Sequence, residues 1–151
     1  MRGLPGSGKS YLAERIAYGF QSYRIHATDD LCMEHGEYEY DPTLSSERHA
    51  QNLSNFVTSL AKRIECVICD NTNISTREYS PYLAAANTYG YNYAVIELPL
   101  PSMRELKHRN RHKIPVDILK SMVARWEPTV CVYPFAVELP KRTNQPTTKE
   151  T

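Results

Sequence analysis

Long apolar runs are missing from this 151-residue chain. None approaches the roughly 18–20 residues that span a bilayer. The first residues also lack the apolar core of a secretion signal. The expectation is a cytoplasmic chain with no membrane partner. No charge sign dominates either, since 18 Lys and Arg face 17 Asp and Glu. The balance argues neither for nor against a polyanionic partner, so only local charge can speak to one. Cysteine is scarce, with four residues, and a reducing compartment keeps them as thiols. Cys66 and Cys69 have a metal-like spacing, but they sit in the apolar run IECVICD. Residues three apart on a strand point to opposite faces, which argues against a shared metal or redox site. Glycine is scarce too, with six residues, yet three of them fall within the first eight positions.

Those three belong to the opening MRGLPGSGKS. Gly3 to Ser10 fits the pattern G-x-x-x-x-G-K-[ST] in full. Its glycines let the backbone wrap an anion with amides pointing inward. A helix starting at Lys9-Ser10 would aim its positive end at the same anion. Lys9 can reach β- and γ-phosphates, and the Ser10 hydroxyl can coordinate Mg²⁺. Such a loop normally follows a buried strand of about five or six residues. Only Met1 and Arg2 precede Gly3 here, so the first strand is expected to be truncated.

Helix and strand signals alternate after the loop. Residues 10–20 have apolar side chains at helical spacing, with Gly19 near the end. Residues 23–30 read as a short strand with a polar end. Residues 43–64 read as a long helix, with Thr43 and Ser45 as caps and Glu47 in its first turn. Residues 66–74 are a β-branched strand that runs into a polar cluster. Residues 76–90 form a helix bent or started by Pro81 and closed by Gly90. A strand over 91–100 follows, then helices over 102–112 and 116–127, then a last strand over 129–139. Residues 141–151 read as a disordered tail behind a single domain of residues 1–140. The alternation predicts an α/β fold with a parallel sheet covered on both faces.

Two acidic sites fall where such sheets hold ligands, at the carboxyl ends of strands. Asp29 and Asp30 end the second strand. A carboxylate there can take a hydroxyl proton or hold a Mg²⁺-bound water. Asp29 is the candidate for that work, and Asp30 reads as a cap or a supporting acid. Asp70-Asn71-Thr72-Asn73 ends the third strand. An apolar run followed by Asp is the arrangement that organises a metal's water shell in nucleotide-hydrolysing proteins.

The balanced total hides segregated charge. Residues 101–125 hold seven Lys and Arg against two acids, whereas residues 29–41 hold six acids and no Lys or Arg. A basic helix that closes over transferring phosphates would stabilise their charge. His108 and His112 are four apart, but no third ligand accompanies them and no metal is expected there. Tyr38 and Tyr40 read as packing rather than as platforms for a base.

With GLPGSGKS, ATDDL, ICDNTNI, ANTYGYNYAVIEL, ELKHRNRH and IPVDILKSMVARWEP in this order, residues 3–128 resemble a known family. It comprises the kinase domain of phage-type polynucleotide 5′-hydroxyl kinases and the related small P-loop kinases of the AAA_33 type. The resemblance implies a P-loop NTPase fold of three α/β/α layers around a mostly parallel central sheet. It implies ATP-dependent transfer of the γ-phosphate to a hydroxyl, often the 5′-OH of DNA or RNA, with ATP and Mg²⁺. Lys9, Asp29 and Arg109 would then be catalytic. Gly3, Pro5, Gly6, Ser7, Gly8, Lys9, Ser10, Tyr11 and Arg109 would surround the nucleotide. Ser10, Asp29 and Asp70 would serve the metal, and Asp30, Asn71, Thr72, Asn73, Arg111 and Lys113 are candidates on the acceptor side.

The chain departs from the phage pattern at the acceptor. Cys32 stands three residues after Asp29, where the phage enzymes have an Arg that grips the substrate phosphate. The segment between Arg109 and Pro115 is also shorter. A small-molecule acceptor (a nucleoside, sugar or antibiotic) therefore stays open beside a nucleic acid 5′ end, and the acidic stretch favours it. A non-catalytic nucleotide-binding module stays open as well, on account of the short first strand.

Overall fold

Glycine decides where the first helix begins. Gly8, at φ 95°, caps α1 (Lys9–Ala17), and Gly6 is also left-handed at φ 74°. The structure is a computed structural model that describes residues 1–34, 37–38, 41–109 and 114–129. After α1 comes β1 (Tyr23–His26), then a 3₁₀ turn over Thr28–Cys32. A small antiparallel hairpin pairs β2 (Met33–Glu34) with β3 (Glu37–Tyr38). Then follow α2 (Ser45–Ala61), β4 (Cys66–Cys69), α3 (Thr76–Thr88), α4 (Met103–His108) and α5 (Val116–Ala124).

The sheet is parallel, as the alternation predicts. Tyr23 lies opposite Cys66 and His26 opposite Cys69. On the far edge of β4, the Met1 nitrogen donates to the Cys69 carbonyl at 2.9 Å. The Gly3 amide donates to the Thr72 carbonyl at 3.1 Å. Beyond them Arg2 and Glu97 form one parallel bridge, with the Arg2 amide 2.7 Å from the Ile96 carbonyl. The order across the layer is thus β1, β4, residues 1–3, residues 96–98. The strand expected over 91–100 is reduced to this bridge, because only Arg2 faces it with ladder bonds. The strand expected over 129–139 lies, beyond Thr129, outside the described residues, as does the tail.

Helices cover both faces, giving three α/β/α layers. Ala13 and Ala17 of α1 pack on Ile68 with Ile25 and Cys66 at the rim. On the other face Phe56 and Leu60 of α2 and Tyr82 of α3 enclose Cys69 and Val67. Cys66 and Cys69 thus lie on opposite faces, and both are free thiols. A third cluster joins Leu4 of the loop to Leu106 and Leu119 of α4 and α5, all three buried.

Local chemistry explains the helix ends, with one correction. Neither Thr43 nor Ser45 caps α2. The Asp41 carboxylate accepts from the amide and hydroxyl of Thr43, at 2.8 and 2.6 Å. That turn feeds a 3₁₀ segment, Pro42–Leu44, and Leu44 takes the cap position without a side-chain bond. α3 continues through Pro81, and Glu78 accepts from the Ile74 amide at 2.8 Å to close its start. Gly90, at φ 74°, ends it. Ser102 and Glu105 form a reciprocal capping box on α4, which stops at His108, short of the expected 112. Among the described residues no helix is long and apolar enough to cross a membrane.

Candidate functional site around the glycine-rich loop

The loop is held from beneath and bounded from above. Leu4 is fully buried under α4 and α5, and a Ser7 amide to Leu4 carbonyl bond of 3.1 Å closes the turn. A Cβ on Gly3 would stand 2.5 Å from Ser7 Oγ, so Ser7 would have to turn aside, and it would press on Lys9 Cγ at 3.1 Å and Leu98 Cβ at 3.3 Å. A Cβ on Gly6 would stand 2.8 Å from Arg109 Cβ. Gly6 is therefore needed twice, for its left-handed backbone and for the close approach of Arg109.

Lys9 folds back over the loop, and its Nζ donates to the Leu4 carbonyl at 3.2 Å. Burial pulls its pKa below the ordinary lysine value, while Asp70 and Asp29 pull it back up. Both carboxylates named from the sequence are thus close enough to be felt by Lys9. Partial desolvation raises the Asp30 carboxyl above its usual range, and Asp29 and Asp70 add to the rise. The parallel sheet brings the ends of β1 and β4 side by side, which places these three acids together.

Two buried oxygens at this site have no hydrogen-bond partner, Ser7 Oγ and Asp70 Oδ1. An orphaned buried acceptor costs about 1–3 kcal/mol, so both positions suit a polar ligand group. Among the described residues no cluster of three or more His, Cys, Asp or Glu is arranged to hold a metal by itself. Ser10 and Tyr11 are exposed at the start of α1, and Pro5 is half-buried in the loop.

The polar run after β4 divides into two roles. Asn71 Oδ1 accepts from the Thr28 amide at 2.8 Å, and its Nδ2 reaches the Tyr82 hydroxyl at 3.4 Å. It therefore locks the turn bearing Asp29 to β4. Asn73, left-handed at φ 48°, donates to the Met1 carbonyl at 2.8 Å. Thr72 gives its carbonyl to the Gly3 amide. These three residues fix the loop and the acidic turn through bonds within the protein.

Arg109 closes α4 and leans on the loop. Its Nη1 donates to the Gly6 carbonyl at 3.4 Å, and Nη2 pairs with Glu105 at 3.2 Å. The other described cations of the basic segment bond elsewhere or lie exposed, with Lys120 on Asp117 and Arg125 on the Ser121 carbonyl. Arg111 and Lys113 lie outside the described residues, as do His112 and Tyr40; of Tyr38 only the backbone pairing with Met33 is described.

Two arginines were missed in the sequence. Arg48 of α2 is buried and donates to Cys32 Sγ at 3.5 Å. It puts a guanidinium where Cys32 itself supplies none, and a cavity of about 310 Å³ lined by Leu31, Leu44, Glu47, Arg48 and Gln51 opens beside it. Arg2 is buried and saturated. It bonds the carbonyls of Asn73, Ile74 and Glu127 and pairs with Glu97 and Thr129, between the rings of Tyr79 and Trp126. The helical spacing of α2 points to Arg48 only once Cys32 is known to face it. Nothing local announces Arg2.

A glycine loop entering a helix beside the carboxyl ends of parallel strands serves anions, and this architecture is that of the P-loop nucleotide-binding proteins. The sequence profile of AAA_33, described as an AAA domain, matches residues 1–127, and the chain belongs to this family. NEDD4-binding protein 2 of Homo sapiens is 32% identical over 138 residues, which cover 87% of the chain. The chain spans 8% of that relative's length.

Proposed function

We propose that this chain is an ATP-dependent phosphotransferase that moves the γ-phosphate to a hydroxyl, with the 5′-OH of a polynucleotide as acceptor. One observation supports it above others: Lys9, Arg109 and the orphaned Asp70 oxygen meet at a loop built for phosphates. Bound ATP with Mg²⁺ would supply the phosphoryl group and offset its charge. The amides of Gly6 to Ser10 would hold the β-phosphate, with Pro5 and Tyr11 at the margin. Lys9 and Arg109 would meet the charge that spreads over the transferring group. Ser10, Asp29 and Asp70 would hold the ion through its waters, since Mg²⁺ needs only one or two carboxylates beside substrate phosphates. Asp29 would orient the acceptor hydroxyl and receive its proton. Asp30 would support Asp29. Arg48, Arg111 and Lys113 are the cations that would face an anionic acceptor. The free thiols Cys32, Cys66 and Cys69 suit a cytoplasmic setting, and the catalytic domain would extend over residues 1–140.

A neutral small-molecule acceptor is the second reading. Asp29, Asp30 and Asp70 favour it, because three neighbouring acids repel a polyanion.

Transfer of labelled γ-phosphate from ATP/Mg²⁺ to 5′-OH oligonucleotides, DNA and RNA, tests the proposal. Labelling that Lys9→Ala and Asp29→Ala both abolish is the expected result. ATP binding without labelling of either oligonucleotide would overturn the polynucleotide reading. A KM insensitive to salt on a nucleoside or sugar would then establish the second.

A further inference from the structure

A line of polar side chains runs through the core between α2, α3 and β4 and ends at the acidic turn. Positions 48, 52, 56 and 60 form the inward stripe of α2, and all four are buried. Phe56 and Leu60 suit that stripe. Asn52 does not, and burying an amide is costly unless it is bonded. Its Nδ2 donates to the Tyr82 hydroxyl at 3.0 Å. Tyr82 of α3 packs edge-on against Phe56, with ring centroids 5.1 Å apart. The same hydroxyl accepts from Asn71 Nδ2 at 3.4 Å and bonds to the Cys69 thiol. Burial pushes its pKa up to about 12, so it stays neutral and can both donate and accept.

At Asn71 the line leaves the core. Asn71 Oδ1 accepts from the Thr28 amide at 2.8 Å, one residue before Asp29. The turn over Thr28–Cys32 meets α2 at two further points. Thr28 Oγ1 lies 3.2 Å from the His49 ring, and Cys32 Sγ accepts from Arg48 at 3.5 Å. Those contacts are longer and are made by side chains of the turn. The Asn71 bond is shorter and is made to its backbone. A carboxamide is rigid, so holding Nδ2 also aims Oδ1. Tyr82 thus keeps Asn71 turned toward Thr28.

We propose that Tyr82 is a positioning residue for Asp29. Its hydroxyl fixes Asn71, Asn71 fixes the Thr28 amide, and the turn presents the carboxylate. The inference rests on the reading that Asp29 orients the acceptor hydroxyl. The bonds that shape the glycine loop, Gly3 to Thr72 and Ser7 to Leu4, do not pass through Tyr82.

Tyr82→Phe removes one oxygen and keeps the ring on Phe56. Tyr79→Phe is the control. It removes the same atom from the same helix, where the hydroxyl meets Thr76 Oγ1 at 3.4 Å. Amide exchange is followed at Thr28, and also at Gly3 and Cys66, whose amides bond to Thr72 and Ser22. Tyr82→Phe should speed exchange at Thr28 by about 5-fold or more and leave Gly3 and Cys66 as they were. Phosphate transfer should lose about 10- to 100-fold in kcat, with the KM for ATP unchanged. Tyr79→Phe should do neither. Asn71→Ala should lower kcat too, and adding Tyr82→Phe to it should cost nothing more, since both act through one line of bonds. Unchanged exchange at Thr28 would overturn the proposal. So would exchange raised equally at all three amides, which would mark a general loosening, or losses in kcat that multiply in the double variant. A wild-type chain that transfers no phosphate would instead defeat the phosphotransfer reading, and exchange at Thr28 would then decide the anchoring by itself.

Discussion

Arg2 and Lys9 stand on either side of the same glycines, and both hold a cation mostly out of water. Their surroundings differ completely. Arg2 spends its donors on three carbonyls, Glu97 and Thr129, with an aromatic ring near each face. Lys9 has one carbonyl at 3.2 Å, and a nearby carboxylate retains an unpartnered oxygen. A buried charge with every donor matched is a structural joint. A buried charge with spare valence beside an orphaned acceptor is equipped for something that arrives from outside. Arg2 is the more deeply buried of the two, but it is the tally of partners that separates a joint from a site.

The sharpest way to break this contrast is to remove each cation. Lys9→Ala should lower phosphotransfer by about 10³-fold while leaving the thermal midpoint nearly unchanged. Labelled-phosphate transfer and a melting curve on one preparation check both halves. Arg2→Ala should do the reverse and destabilise by about 3–5 kcal/mol, because it strands buried carbonyls and Glu97. Urea unfolding measures that loss. A large stability loss from Lys9→Ala, or none from Arg2→Ala, would erase the distinction.

Gly6→Ala tests the ground between them. A left-handed backbone costs a non-glycine residue about 1–2 kcal/mol, and the new methyl would also push on Arg109. Stability should fall by about that amount and nucleotide affinity should drop with it, as titration calorimetry would show.

The smallest effect concerns pH. His26 donates to or accepts from Ser59 Oγ at 2.9 Å, and burial lowers its pKa below the ordinary 6.5, with Arg24 adding to the shift. The unfolded chain then binds the proton more readily than the folded one. Stability should therefore rise with pH through the window below 6.5 and be lost as pH falls through it. His26→Gln should flatten this slope in melts between pH 5 and 7.

How much of this was legible depends on how local its cause is. The loop, α1 and the acids after β1 and β4 could be read because each motif lies within ten residues and the parallel topology does the rest. The opposed faces of Cys66 and Cys69 followed from strand alternation alone. The strand expected over 91–100 is only a bridge, because apolar alternation says nothing about whether a ladder partner stands alongside. Spacing marks Thr43 as a cap, but Asp41, two residues earlier, takes the Thr43 amide and hydroxyl for itself, which spacing does not reveal. Arg2 was invisible because its partners lie about seventy to more than a hundred residues away.

That span has a mechanical meaning. Arg2 ties the second residue of the chain to Glu127, three residues past the end of α5. A pull applied between those two points would load one guanidinium and its two flanking rings before any helix unwound. Residues 2 and 127 are thus fastened by one clasp, so neither segment can peel away while the other holds.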